Sequence, residues 1–157
     1  MYNSMQKPYV ARCDASVKGN DSVLSNVIVT PNNRLLFRTT STQINDNSAK
    51  AELDALYALI WNARRYHIVN LRVVSDCKSV VDVINSGKEF SGPNAKFLNK
   101  TLRKLRKMLK EFNKCVITHK KREHNVYADS LCRMRRQQIV FKKNGGRVNL
   151  REAAPVE

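Results

Sequence analysis

Acidic residues are scarce in this chain. It carries 13 Asp and Glu against 29 Lys and Arg, a formal net charge of +16. That balance favours nucleic acid as partner over an acidic protein or a membrane surface. Charge alone leaves a basic ribosome-associated or architectural protein open. Cysteine is also sparse. Cys13, Cys77, Cys115 and Cys132 show no CxxC pairing and no framework spacing. A disulfide scaffold and a standard zinc module are thereby excluded, and reduced thiols of a cytosolic protein are expected. No apolar run is long enough to span a membrane, and the polar N-terminus does not read as a signal peptide. No internal repeat is present. What remains is 157 residues with a hydrophobic fraction of 42%, enough for one domain with a real core.

The pattern along the chain gives an element order. Residues 8 to 15 read as a strand, KGNDS (18–22) as a turn, and Val23 to Thr30 as a second strand. PNN (31–33) turns the chain into a third strand, Arg34 to Ile44. Asn47 or Ser48 caps a helix running to about Arg65. Leu71 to Ser75 is a short buried strand. Ser79 to Ser86 is a brief helix stopped at Gly87. A longer helix runs from about Asn94 to Phe112, with Leu98, Leu102, Leu105, Leu109 and Phe112 as its apolar stripe. Cys115 to His119 is a last strand, and Asn125 to Arg135 a terminal helix. The order βββ-α-β-α-α-β-α implies a mixed sheet with helices packed on it. Residues 1–136 form the expected domain. Residues 137–157 are basic, contain Gly145-Gly146, and are expected to be a flexible tail.

Four acids stand where acids are hard to justify. Asp14 follows the apolar run Tyr9-Val10-Ala11 and Cys13. Glu52 is spaced +4 and +7 from Leu56 and Leu59, so it shares their helix face. Asp76 ends a strand, and Asp129 opens a short helix after a basic loop. Carboxylates from two strand ends and two helices can meet at one point only if their repulsion is neutralised, and a pair of divalent cations does that. A second reading stands beside this one for Glu52: an acid favoured by the positive end of its helix. Asp54, Asp82 and Glu123 read as surface acids. Acids for a metal on a basic surface suit an enzyme that cuts a polyanion.

Those four acids sit inside recognisable motifs. The chain reads DASVKGN at 14–20, AELDAL at 51–56, SDC at 75–77 and HKKREHNVYADSL at 119–131. In this order and spacing it resembles type 1 ribonuclease H over residues 8 to about 135. The last motif is the specific one. The resemblance implies an RNase H-like α/β (mixed α+β) fold. Its sheet has five strands, three antiparallel and then two parallel, with helices packed on it. It implies Asp14, Glu52, Asp76 and Asp129 as catalytic metal ligands, and it places His119 at the family's mobile histidine. Departures are Ala15 for Gly, Asp21-Ser22 for Pro-Gly and Cys77 for Ser. The stretch from Asp76 to His119 is too short for the family's extra basic helix.

The implied chemistry is phosphodiester hydrolysis. Two Mg²⁺ ions about 4 Å apart, with Mn²⁺ as a substitute, would activate water and neutralise charge on phosphorus. Asp14 would bridge, Glu52 and Asp76 would complete one ion, and Asp129 the other. His119 would shuttle a proton or help product leave, unless it is an ordinary strand histidine. The expected partner is an RNA–DNA hybrid and the expected state a cytoplasmic monomer. Recognition of the hybrid needs contacts to 2′-hydroxyls, for which Ser16, Asn20 and Asn47 are candidates. Lys100, Arg103, Lys104 and Lys107 are candidates for the phosphates, as are Arg133, Arg135 and Arg136. Two alternatives stay open at this point. One is a nuclease of the same fold acting on double-stranded RNA or a DNA junction. The other is a catalytically silent nucleic-acid-binding module.

Overall fold

Alternating apolar residues and a two-residue turn build the first hairpin. The structure is a computed structural model that describes residues 7–44, 47–121 and 134–135. Strand β1 (Tyr9–Lys18) pairs antiparallel with β2 (Asp21–Val29), from Val10 opposite Val29 to Lys18 opposite Asp21. Both strands run further than the composition of KGNDS suggests. Only Gly19 and Asn20 turn the chain. Gly19 has φ +58°, the positive value that a type II′ turn needs at its first central residue, and the twist of that turn keeps the flanking strands paired. Strand β3 (Leu35–Ile44) follows after the turn at 31–34, where Asn33 takes φ 60°.

Helix α1 (Ser48–Arg65) starts at Asn47, whose Oδ1 accepts the backbone N–H of Lys50 at 2.9 Å. Strand β4 (Asn70–Ser75) then lies parallel to β1, with Arg12 opposite Val74. Helix α2 (Lys78–Ser86) ends at Gly87 in the left-handed region, φ 72°. Helix α3 (Ala95–Leu109) leads to β5 (Lys114–His119), which lies parallel to β4. The five-stranded sheet has the order β3-β2-β1-β4-β5, three antiparallel strands and then two parallel. Between β4 and β5, among the described residues, the chain forms two helices and no third. The expected terminal helix at 125–135 and the tail at 137–157 lie outside the described residues, apart from Met134 and Arg135.

The packing fixes where α1 presents its side chains. It lies across β1 and β2, and α3 lies against it. Leu56, Leu59 and Ile60 of α1 and Leu102 and Leu105 of α3 are essentially fully buried, together with Ala11, Cys13 and Ala15 of β1. Each buried Leu or Ile contributes roughly 1.5–3 kcal/mol, so rotating α1 by one residue would forfeit several such terms. Buried Asn26 adds a polar tie. Oriented with its amide nitrogen toward carbonyl oxygen, it donates to Ala55 O at 3.0 Å, joining β2 to the second turn of α1. No helix among the described residues is long and apolar enough to cross a membrane.

Candidate metal centre

Parallel register brings two acids to one level. Since Arg12 lies opposite Val74, two residues further on Asp14 comes level with Asp76, just past the end of β4. α1 supplies the third acid. Its first turn contains no acidic residue, so Glu52 does not serve the helix's positive end. It stands on the second turn, held toward the sheet by the burial of Leu56 and Leu59. One carboxylate oxygen each from Asp14, Glu52 and Asp76 lies within 4.8 Å of the other two. Asp14 is buried, 1% exposed, and the other two are half-buried. Asp129, the fourth expected acid, lies outside the described residues.

The donor set fits a hard divalent cation. Three carboxylates of one sign, one of them out of solvent, repel each other unless a cation lies between them, and Mg²⁺ or Mn²⁺ prefers such oxygen ligands. The neighbouring thiol senses the same charge. Burial pushes the Cys13 thiol well up from its ordinary value, and the negative charges of Glu52, Asp14 and Asp76 push it further. Cys13 therefore stays protonated beside the acids and offers no thiolate to a soft metal. Cys77 follows Asp76 directly, and burial raises its thiol as well.

Other expected site residues fall at varied distances. His119 ends β5 opposite Ser75, one strand over from Asp76 and exposed to solvent. The backbone N–H of Lys120 donates to Ser75 O at 3.0 Å and pins that strand end. Ser16 lies two residues beyond Asp14, half-buried on β1. Asn20 sits exposed at the hairpin tip, past Lys18, which itself lies roughly 13 Å beyond Asp14 at about 3.3 Å per residue. Asn47 stands at the start of α1 with its carbonyl oxygen committed to the helix cap.

The basic face of α3 is less uniform than its sequence. Arg103 Nε donates to Glu89 at 3.2 Å. Arg106 donates to the carbonyls of Val83 and Lys88 and so closes the end of α2. Lys104 and Lys107 face Tyr57, Trp61 and Arg64 of α1 across a groove. Lys100 is exposed. Arg135 is half-buried, and Arg133 and Arg136 lie outside the described residues. Asp54, read as a surface acid, instead accepts from Lys50 at 2.6 Å and from Gln43 at 3.2 Å and is largely buried. Asp82 pairs with Lys78 at 3.0 Å on the surface, as expected. Sequence reading did not single out Trp61, because the groove it lines depends on what α3 places opposite α1.

A mixed five-stranded sheet with one acid within β1, one just past the end of β4 and one on α1 defines an RNase H-like protein. The sequence model of the reverse transcriptase-like family matches residues 12–135, and the chain belongs to that family within the RNase H-like superfamily. No curated protein matches the chain by sequence. Solved structures share the fold. RNase H1 of the halophilic archaeon Halobacterium salinarum is 23% identical with a TM-score of 0.72, over 80% of this chain and 95% of that one. The N-terminal RNase H domain of Rv2228c from Mycobacterium tuberculosis is 21% identical with a TM-score of 0.73, over 82% and 92%. LC11-RNase H1, a protein isolated from compost and solved in complex with an RNA/DNA hybrid, is 19% identical with a TM-score of 0.71, over 80% and 94%.

Proposed function

We propose that this chain is a metal-dependent endonuclease that hydrolyses the RNA strand of RNA–DNA hybrids. The observation that carries the reading is the meeting of Asp14, Glu52 and Asp76 within 4.8 Å on an otherwise basic protein. Three carboxylates collected together, one of them buried, form a seat for divalent cations. Bound there, two Mg²⁺ ions, replaceable by Mn²⁺, would supply an activated water and neutralise charge at phosphorus.

The chain's own residues do the rest. Asp14, Glu52 and Asp76 hold the cations, and Asp129 is proposed as the fourth carboxylate. His119, exposed on the neighbouring strand end, would carry a proton between the site and water. Ser16 lies near enough to the acids to meet a ribose hydroxyl, and Asn20 reaches the substrate further along its axis. The structure solved with a hybrid, LC11-RNase H1, supports the substrate class through a shared fold. A monomeric, cytoplasmic enzyme completes the reading.

The test is cleavage of a labelled RNA–DNA hybrid beside duplex DNA, duplex RNA and single-stranded RNA, each with and without Mg²⁺. Metal-dependent cutting of the RNA in the hybrid alone supports the proposal. Preferential cutting of duplex RNA or DNA transfers the activity to another substrate. Hybrid binding without any cutting makes the chain a binding module.

A further inference from the structure

A second nucleic-acid feature lies away from the acids. Trp61 stands nine residues beyond Glu52 on α1, about 13 Å along the axis at 1.5 Å per residue. Nine residues are also two and a half turns, so Trp61 projects from the side of α1 opposite Glu52. There α1 and α3 enclose a groove of about 270 Å³ lined by Tyr57, Trp61 and Arg64 on one side and Lys104, Lys107 and Glu111 on the other. Trp61 is 38% exposed, an unusual position for the one tryptophan of the chain. Arg65 lies over its ring, 4.9 Å from the centroid.

The charges in the groove are unequal. Glu111, the acid of the lining, already meets Arg64 at 3.3 Å. Lys104 and Lys107 then present two further cations, and Arg65 a third at the rim. An aromatic ring flanked by cations is the combination that holds unpaired bases and their phosphates, since every base has a π-face to stack. The space suits one planar base and not a duplex. An acidic peptide would meet the cations but would give Trp61 nothing to stack on.

We propose that the groove between α1 and α3 binds single-stranded nucleic acid, with a base against Trp61 and phosphates on Lys104 and Lys107. The chain would thereby hold an unpaired stretch of nucleic acid on a face separate from the metal centre. This goes beyond the nuclease reading and does not depend on it.

The test uses the full chain and a short oligothymidylate in EDTA, where no metal is available and no ribose is present to be cut. Trp61 is the chain's one tryptophan, so its fluorescence reports the groove directly. Saturable quenching is expected, with an affinity that falls as salt rises by a log–log slope of about −0.7 for each phosphate held. Trp61→Leu should weaken oligothymidylate binding, followed by anisotropy, by roughly 5- to 150-fold, the range that base–aromatic stacking spans. The same variant should cut the hybrid as wild type does. Lys104→Glu with Lys107→Glu, read by Trp61 fluorescence, should abolish the quenching and covers the case in which Trp61→Leu does not fold. Three results overturn the proposal: oligothymidylate binding with no change in Trp61 fluorescence, no binding at all, or equal quenching by poly-glutamate. The last result would make the groove a site for an acidic protein segment.

Discussion

At Asp14 a carboxylate 1% exposed lies beside those of Glu52 and Asp76, and a cation between them would offset their mutual repulsion. Asp14→Asn removes one of the mutually repelling charges without changing shape. The expected outcome is loss of metal-dependent cleavage with an unchanged fold, and a melting temperature in EDTA equal to or above that of wild type. Added Mg²⁺ should raise the melting point of wild type and leave that of the variant nearly unchanged, as ligand linkage requires. Near-wild-type turnover by a folded Asp14→Asn protein at saturating Mg²⁺ would refute the metal assignment. Cys115 gives a pH test. Burial pushes its thiol from 9.0 up to about 12. Between those values the folded state keeps a proton that the unfolded state has lost, so stability present below pH 9 is lost as pH rises toward 12. Chemical denaturation across that range should show a shallower decline for Cys115→Ala than for wild type. At this scale the convergence of three acids was legible, because Asp14 closes an apolar run within β1, Asp76 follows the end of β4 and Glu52 shares a helix face with leucines. The partners of Arg103 and Arg106 were not, since Glu89 and the carbonyl of Lys88 reach them from a loop whose path no periodicity encodes.

Elements were easier to read where a cap or a turn residue marks them. Asn47 announces α1, Gly87 ends α2, and both lie where the sequence puts them. The first hairpin was shortened in the reading, because KGNDS is turn-like throughout while only Gly19 needs the unusual backbone. The loop from α2 to α3 was not legible either. It is shaped by buried Asn99, whose side chain accepts from Phe90 N at 2.7 Å and donates to Phe90 O at 3.0 Å. A polar residue in an apolar helix stripe gives no hint in sequence of which backbone it will satisfy. The α1 cap carries a prediction, because Glu52 stands on the next turn. Asn47→Ala should cost about 1 kcal/mol of stability. For a chain of this size that is roughly 2–4 °C in melting temperature. It should also weaken Mg²⁺ binding, since fraying the first turn loosens Glu52. A calorimetric titration showing wild-type Mg²⁺ affinity in a destabilised Asn47→Ala protein would uncouple the cap from the metal centre.

For the whole molecule, a net charge of +16 guarantees attraction to any nucleic acid, and the useful question is which cations make contact. Each phosphate neutralised contributes about −0.9 to the log–log salt slope on a B-form duplex and about −0.7 on a single strand. From sequence, Lys100, Arg103, Lys104 and Lys107 form one basic band, and changing the last three to Gln would remove up to about 3 from the duplex slope. The structure divides that band. Arg103 is engaged with Glu89, while Lys104 and Lys107 face the groove with Trp61. The triple variant should therefore reduce the slope for a hybrid by about 1 or less, and the slope for oligothymidylate by about 1.4, two contacts at the single-strand value. Both are measured by anisotropy in EDTA over a series of salt concentrations, so that cleavage does not intervene. A loss near 3 on the hybrid would return the α3 face to the duplex, with Arg103 leaving Glu89 on binding. A loss on the hybrid alone, with none on the single strand, would empty the groove of its assigned occupant and leave the metal centre's assignment untouched.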